Sequence, residues 1–187
     1  MQRFVFAVSG ASGMPLAVTL LRAMATIPNV ETHLVVSDAA RQVLHHESSL
    51  DLPDLAAHAH TVHSCDDFAA GPASGSWRHS GMVVCPCSMA TLAAIAHGTG
   101  TNLIHRAADV TLKERRPLVL VARETPLSRV HLANMLAATE AGATVMPPCP
   151  GFYGKPQSVQ DVLDHLAGRV LDQLRLPHHL GHRWQGG

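Results

Sequence analysis

The fold is decided by the opening of the chain, Arg3-Phe4-Val5-Phe6-Ala7-Val8-Ser9-Gly10-Ala11-Ser12-Gly13. An apolar run ends there in a turn of small residues, and residues 14–24 then follow a pattern typical of a helix. Such strand-turn-helix units bind phosphate in α/β proteins, because glycines let the backbone come close and free N–H groups at the helix N-terminus face the anion. The turn lacks the full GxGxxG pattern, so by itself it also fits an ordinary connection.

The rest of the chain alternates between strand-like and helix-like segments. Further strands are predicted at 32–36, 81–86, 117–122 and 143–146, and further helices at 38–47, 89–97, 128–141 and 158–174. Residues 48–80 are expected to be irregular, and a loop of that length is usually functional. This order predicts an α/β fold whose parallel sheet is covered on both faces, with ligands bound beyond the carboxyl ends of the strands.

Length and composition favour one domain with a full core. The chain has 187 residues, of which 47% are apolar and 15% charged, and its formal net charge is zero. Nothing in that balance favours nucleic acid or an anionic membrane, and no apolar run reaches the roughly 18 residues of a membrane span. We expect a single domain over residues 1–176, a flexible tail over residues 177–187, and a homo-oligomer.

Cysteine and histidine usage argues against a metal centre. The four cysteines form no CxxC pair, which favours reduced thiols in a cytoplasmic protein that begins its first strand at once and leaves no room for a signal peptide. There are fourteen histidines, and the closest-spaced group suits neither a helix face nor a zinc finger: His58, His60 and His63. The sequence therefore predicts no metal.

Polar side chains gather where the predicted strands end. Hydroxyl groups follow four of the five strands, and the fourth strand is also followed by the charged pair Arg123-Glu124. Hydroxyls and helix N-termini suit a phosphate and a polar ring edge, and an arginine supplies a planar fork for either. Their convergence on one edge of the sheet is a stronger signal than any single turn.

Five segments in one order and spacing resemble the flavin prenyltransferases, the UbiX family. They are Gly10–Gly13, Cys87–Thr91, Asn102–Arg116, Arg123–Leu127 and Phe152-Tyr153. The resemblance runs nearly end to end. It implies a three-layer, Rossmann-like (flavodoxin-like) flavoprotein fold with a parallel sheet, assembled as a dodecamer.

The resemblance also implies the activity. Such an enzyme joins a dimethylallyl group from dimethylallyl phosphate to N5 and C6 of reduced FMN, and prenylated FMN then serves a separate UbiD-type decarboxylase. No metal is implied, because cationic side chains offset the charge of the departing phosphate.

Residue roles follow from the resemblance, position by position. The cofactor-binding residues would be Gly10, Ala11, Ser12, Ser37, Ser88, Met89, Ala90, Thr91 and Arg123. Those binding the donor, some from a neighbouring subunit, would be Phe68, Arg106, Lys113, Tyr153 and Arg169. Ser12 would lie beside N5, and Glu47 and Glu124 would handle protons.

Two other functions stay open at this point. One is a flavin-dependent cysteine decarboxylase of related fold, although the Pro86-Cys87-Ser88-Met89 turn differs from the Asn-rich turn of those enzymes. The other is a non-catalytic FMN-binding protein, which would keep Ser12 and Ser88 without needing the whole donor-binding set. Taken singly, the charged residues of that set would be ordinary solvated side chains.

Overall fold

Six parallel strands form one sheet in the computed structural model, which describes residues 1–184 and residue 186. In chain order they are β1 Gln2–Val8, β2 Val30–Val36, β3 Thr61–His63, β4 Gly81–Cys87, β5 Leu118–Ala122 and β6 Thr144–Val145. They lie in the order β3-β2-β1-β4-β5-β6. The order reverses between β1 and β4, and crevices for ligands form at such a point in parallel sheets.

Helices connect these strands. They are α1 Met14–Ala25, α2 Asp38–Glu47, α3 Leu52–Ala56, α4 Met89–His97, α5 Leu103–Lys113, α6 Arg129–Glu140 and α7 Val159–Gln173. A short 3₁₀ turn at Gly71–Ala73 precedes β4. None of the helices described is both long enough and apolar enough to cross a membrane.

Each strand buries alternate residues on opposite faces of the sheet. Phe4 and Phe6 of β1 pack with α1, α2, α3 and α7, whereas Val5 and Ala7 pack with α4, α5 and α6. Both faces of the sheet are buried, because right-handed crossovers place helices on each side of a parallel sheet. The predicted three-layer α/β fold with a parallel sheet is confirmed.

Serine residues begin several of the predicted helices. Ser37, Ser88, Ser128 and Ser158 are N-caps, and each side chain accepts a hydrogen bond from a backbone N–H in the first turn. The helices and strands predicted from the pattern therefore start and stop within two residues of the observed ones.

Two stretches differ from the prediction. Residues 48–80 are not wholly irregular, because they contain α3, β3 and the 3₁₀ turn, and β3 adds a sixth strand to the five predicted. The stretch after His97 also contains a helix that the pattern analysis left out, α5, whose N-cap is Asn102. Lys113 is the last residue of this helix.

The end of the chain lies against α7 as far as residue 184. His178 Nε2 lies 3.0 Å from Asp172 Oδ1, and Arg183 donates to the same oxygen at 2.7 Å. The flexibility expected for residues 177–187 stays a prediction, and Gln185 and Gly187 of that tail lie outside the described residues.

Candidate active site

The turns that follow β1 and β4 are joined by one buried hydroxyl group. Ser9 is 1% exposed, and its Oγ donates to Pro86 O at 3.1 Å while it accepts from Ser88 N at 2.8 Å. The two strands flank the point where the strand order reverses, so this bond sets the spacing of the crevice between their ends. The sequence analysis assigned Ser9 no role, although its hydroxyl at a strand end was a usable signal.

Two helix N-termini open onto the same edge. Ser37 Oγ accepts from Ala40 N at 3.1 Å at the start of α2, and Ser88 Oγ accepts from Thr91 N at 3.2 Å at the start of α4. A Cβ on Gly10 would lie 2.5 Å from Cβ of Ala39, so only glycine lets the turn after β1 lie against α2. The structure thus brings together the predicted cofactor-binding residues around Gly10, Ser37 and Ser88.

The N-terminus of α1 is occupied by a carboxylate of the chain itself. Glu47 Oε2 accepts from the backbone N–H groups of Gly13 and Met14, each at 2.9 Å. Gly13 has φ of +119°, a left-handed conformation that suits glycine. Glu47 at the end of α2 therefore already binds these N–H groups, and phosphate binding at this turn stays a prediction.

The same contacts control the charge of Glu47. Burial would raise its pKa, but hydrogen bonds from the Ser12 hydroxyl and from two backbone N–H groups, together with the charge of Arg123, outweigh burial. The pKa is therefore held below the ordinary value of 4.5. Glu47 is therefore an anion at neutral pH.

Replacing that carboxylate is expected to cost stability in a pH-dependent way. At pH 7, Glu47→Gln should lower the free energy of unfolding by about 1–2 kcal/mol, because charge-assisted hydrogen bonds at a helix N-terminus are lost. A lowered pKa contributes stability above the unfolded value, and this contribution is lost as the pH falls through the folded value. The difference should therefore shrink below pH 4.5, as urea unfolding at several pH values would show.

The exposed residue Glu140 offers the matched control. Glu140→Gln makes the same chemical change at the end of α6 and should stay within about 0.5 kcal/mol of the wild type at every pH. A pH-independent effect of Glu47→Gln would mean that the charge of Glu47 does not bind the α1 N-terminus.

A cavity of about 420 Å³ opens beside the turn whose backbone N–H groups bind Glu47. Its polar lining comes from Ser12, Glu47 and Arg123, and Arg123 Nε donates to Ser12 O at 3.2 Å. Its walls are apolar and are formed by Pro15, Leu16, Pro86, Val121, Pro148, Val159, Leu163 and Leu166. Three predicted site residues therefore meet in one apolar-walled cavity, which is the usual composition of a small-molecule site.

Glu124 lies just outside that lining. It follows Arg123 directly, its side chain is exposed, and its Oε1 accepts from Thr125 N at 3.0 Å. A carboxylate in this position can exchange protons with solvent and with a group bound over the strand end.

The predicted donor-binding residues fall into two separate places. Arg106 and Lys113 lie on α5, where Arg106 pairs with Asp109 at 2.6 Å and Lys113 pairs with Glu114. Both side chains are partly exposed, at 41% and 45%. This pair is held beside the 3₁₀ turn, since Arg106 Nε donates to Ala73 O at 3.0 Å.

Tyr153 and Arg169 line a different cavity of about 320 Å³. The Tyr153 ring packs against His165, His182 and Trp184, and Arg169 donates to Asp172 at 2.8 Å. Neither Arg106 nor Lys113 contributes to the lining of that cavity. One chain alone therefore does not bring the predicted donor-binding set together.

Phe68 also stands apart from the cavity beside Glu47. Its ring is 53% exposed in the loop before the 3₁₀ turn and lines none of the cavities described above. An exposed aromatic side chain of this kind is free to face a second copy of the chain.

The thiols and histidines of the described residues provide no alternative centre. All four cysteines are free, and burial raises the pKa of the Cys85 and Cys87 thiols far above their usual range. Among residues 1–184 and 186, no three His, Cys, Asp or Glu side chains are grouped so that they could hold a metal ion.

Comparison with known proteins shows one consistent likeness. The Flavoprotein family matches residues 1–171. Flavin prenyltransferase UbiX of Deinococcus radiodurans is 54% identical over 183 residues, covering 98% of this chain and 93% of that protein.

Two crystal structures extend the likeness to the whole fold. A dodecameric FMN-dependent UbiX-like decarboxylase from Escherichia coli O157:H7 superposes with a TM-score of 0.96 at 49% identity, covering 99% of this chain and 100% of the other. AnUbiX in complex with FMN and dimethylallyl pyrophosphate superposes with a TM-score of 0.97 at 49% identity, covering 100% of this chain and 98% of the other.

Proposed function

We infer the function from the premise that this chain belongs to the UbiX family of flavin prenyltransferases. It is an enzyme, a transferase that attaches a dimethylallyl group to FMN. The observation within this chain that best supports the assignment is the cavity in which Ser12, Glu47 and Arg123 meet. An anionic carboxylate, a hydroxyl and a guanidinium group face one another there between apolar walls.

The residues at the strand edge fit FMN. We propose that Gly10, Ala11, Ser37 and the Ser88–Thr91 turn bind it, because they offer two capped helix N-termini and hydroxyl groups suited to a phosphate and a ring edge. Arg123 and Ser12 then lie at the mouth of the apolar cavity. When bound and reduced, FMN supplies the N5 and C6 positions to which the dimethylallyl group is joined.

The chain's own residues would handle the leaving group and the protons. Arg106, Lys113, Tyr153 and Arg169 would bind the phosphate of dimethylallyl phosphate and offset its charge, which makes it a better leaving group. Phe68 would present its aromatic face to the positive charge that develops on the allyl group. Ser12 and Glu47 would hold a proton near N5, and Glu124 would take or give one at C6 or at the phosphate.

A single-turnover assay tests the function. The protein is reduced together with FMN under anaerobic conditions, mixed with dimethylallyl phosphate and quenched, and the flavin is analysed by mass and absorption. Prenylated FMN is the expected product. FMN returned unchanged would favour the non-catalytic flavin protein, and loss of carbon dioxide from a peptide with a C-terminal cysteine would favour the cysteine decarboxylase.

Assembly is expected to complete the site. Since Arg106 and Lys113 lie apart from Tyr153 and Arg169 in one chain, we propose that neighbouring copies supply part of the donor site in a closed homo-oligomer. Light scattering should give a mass about twelve times that of one chain, as in the dodecameric UbiX-like protein of Escherichia coli O157:H7. An active monomer would contradict this proposal.

The product and the setting follow from the same proposal. Prenylated FMN would pass to a UbiD-type decarboxylase, which is the class of enzyme that uses it. The four free thiols are those of a protein kept in a reducing compartment, and we place the enzyme in the cytoplasm.

A further inference from the structure

Residues 71–79, called the 71–79 loop below, are hydrogen-bonded to α5 and to the residues that follow it. Arg116 Nη2 donates to Gly75 O at 3.0 Å and Arg116 Nη1 donates to Trp77 O at 3.3 Å. Arg106 Nε donates to Ala73 O in the same loop at 3.0 Å. Backbone carbonyl groups of the loop therefore bind arginines at both ends of α5.

A helix-ending motif aims Arg116 at this loop. Arg115 adopts a left-handed conformation with φ of +55°, and Arg116 N donates to Thr111 O at 2.9 Å while Arg115 N donates to Leu112 O at 2.9 Å. These two bonds form a Schellman motif, which turns the chain back across the end of the helix. The side chain of Arg116 is only 14% exposed as a result.

The hydrogen bonds beyond Arg116 have one possible direction. A guanidinium group only donates, so His79 Nδ1, 2.7 Å from Arg116 Nη1, accepts the hydrogen bond and His79 carries its proton on Nε2. That Nε2 lies 2.9 Å from Thr111 Oγ1 and donates to it, and Thr111 donates to Ala107 O at 2.6 Å. A one-way relay thus runs from Arg116 through His79 and Thr111 into the backbone of α5.

The relay requires an uncharged His79. Burial and the positive charge of Arg116 lower the pKa of His79 to about 4, and the residue is 6% exposed. The proposed active site uses neither this ring nor Thr111, so a neutral buried imidazole at this position calls for a role of its own.

Gly75 links the relay to Lys113. A Cβ at Gly75 would lie 2.5 Å from Lys113 Nζ, so the Lys113–Glu114 pair rests directly on the loop whose carbonyl group Arg116 binds. Movement of the loop would therefore move the ammonium group of Lys113.

We propose that His79 is a positioning residue for the prenyl donor, and this inference rests on the proposed function. By accepting from Arg116 and donating to Thr111, His79 holds the 71–79 loop against the last turn of α5. The loop in turn fixes Arg106 and Lys113, the two groups on α5 that bind the donor phosphate. His79 acts through these groups and does not touch the donor.

Steady-state kinetics with dimethylallyl phosphate test the inference in the full-length protein. His79→Phe fills the space but removes both ring nitrogens, and it should raise KM for the donor roughly tenfold and lower kcat as well, while the Kd for FMN stays near wild type. His79→Gln keeps one acceptor and one donor and should recover most of the affinity. Thr111→Val cuts the relay at its far end and should raise KM in the same direction.

A double-mutant cycle tests whether His79 and Arg116 act on donor binding through the same relay. The double variant of His79→Phe and Arg116→Lys should bind the donor no more weakly than the worse single variant, since both changes break one relay. If His79→Phe does not fold, Thr111→Val and Arg116→Lys decide by the same measurements.

Other outcomes overturn the proposal. Leu55→Ala, a core change in α3 away from α5, serves as the control for lost stability. The inference is overturned if folded relay variants keep the wild-type KM for the donor, or if their Kd for FMN rises by as large a factor as that KM. It is also overturned if Leu55→Ala, at a similar loss of stability, raises the KM for the donor by the same factor as the relay variants. A wild-type protein that forms no prenylated FMN overturns the proposed function instead, and the inference with it.

Discussion

Lys113→Ala is expected to bind FMN normally and to lose prenyl transfer. The ammonium group lies on α5, away from the cavity lined by Ser12, Glu47 and Arg123, so its loss leaves the flavin contacts intact. It would neutralise the phosphate as the bond to the allyl group breaks. Losing one charge-assisted contact should cost on the order of 1.5–3 kcal/mol, or roughly ten- to a hundredfold in rate. Arg106→Ala and Arg169→Ala should behave alike.

Flavin binding and turnover have to be measured together for this result to be informative. Flavin fluorescence titration gives the Kd for FMN, and single-turnover absorption gives the rate of product formation. Arg175→Ala is the matched control, because it removes an exposed arginine just beyond α7 that has no part in the proposed site. Normal turnover in all three variants would place the donor phosphate elsewhere, and loss of FMN binding would mean that the two phosphate sites have been confused.

The core of the fold could be predicted because its signals are local. Alternation in β1 sends Phe4 and Phe6 to one face and Val5 to the other, and serine caps mark where helices begin. For the same reason, the sequence could predict which polar residues lie at the carboxyl edge of the sheet. Each turn that follows a strand carries its own polar residues, and a parallel sheet brings those turns together whatever the rest of the chain does.

The missed elements carried weaker or overlooked signals. β3 has three residues, Thr61–His63, and within the described residues it pairs with β2 alone, so its identity depends on residues 28 positions earlier in the chain. The helix α5 was recognisable in principle, because Asn102 caps it and its buried residues recur with helical spacing.

Long-range pairing explains the remaining differences. The binding of Glu47 to the N-terminus of α1 joins residues 33 and 34 positions apart, which no local pattern reveals. Arg106 and Tyr153 were assigned to one site, but the structure places them in different environments of a single chain. Family order along the sequence says which residues act together and says nothing of which copy supplies each one.

Glu124→Gln is expected to have the largest effect on the chemistry. Glu124 lies two residues beyond the end of β5, next to Arg123 at the mouth of the cavity, and its exposed carboxylate accepts a backbone hydrogen bond from Thr125 N. The amide keeps the size and that hydrogen bond but cannot exchange a proton. FMN should therefore still bind, while formation of the four-ring product should slow by about a hundred- to ten-thousandfold, as is usual for lost general acid–base help.

The step that fails identifies the role of the carboxylate. After an anaerobic single turnover, the mass of the quenched flavin shows whether it has gained the dimethylallyl group, and its absorption shows whether the fourth ring has closed. Gain without closure would assign Glu124 to removal of the proton at C6, whereas no gain would assign it to protonation of the departing phosphate. Glu140→Gln on α6 is the control and should turn over at the wild-type rate. A wild-type rate in Glu124→Gln would remove this carboxylate from the mechanism and leave the released phosphate as the candidate base.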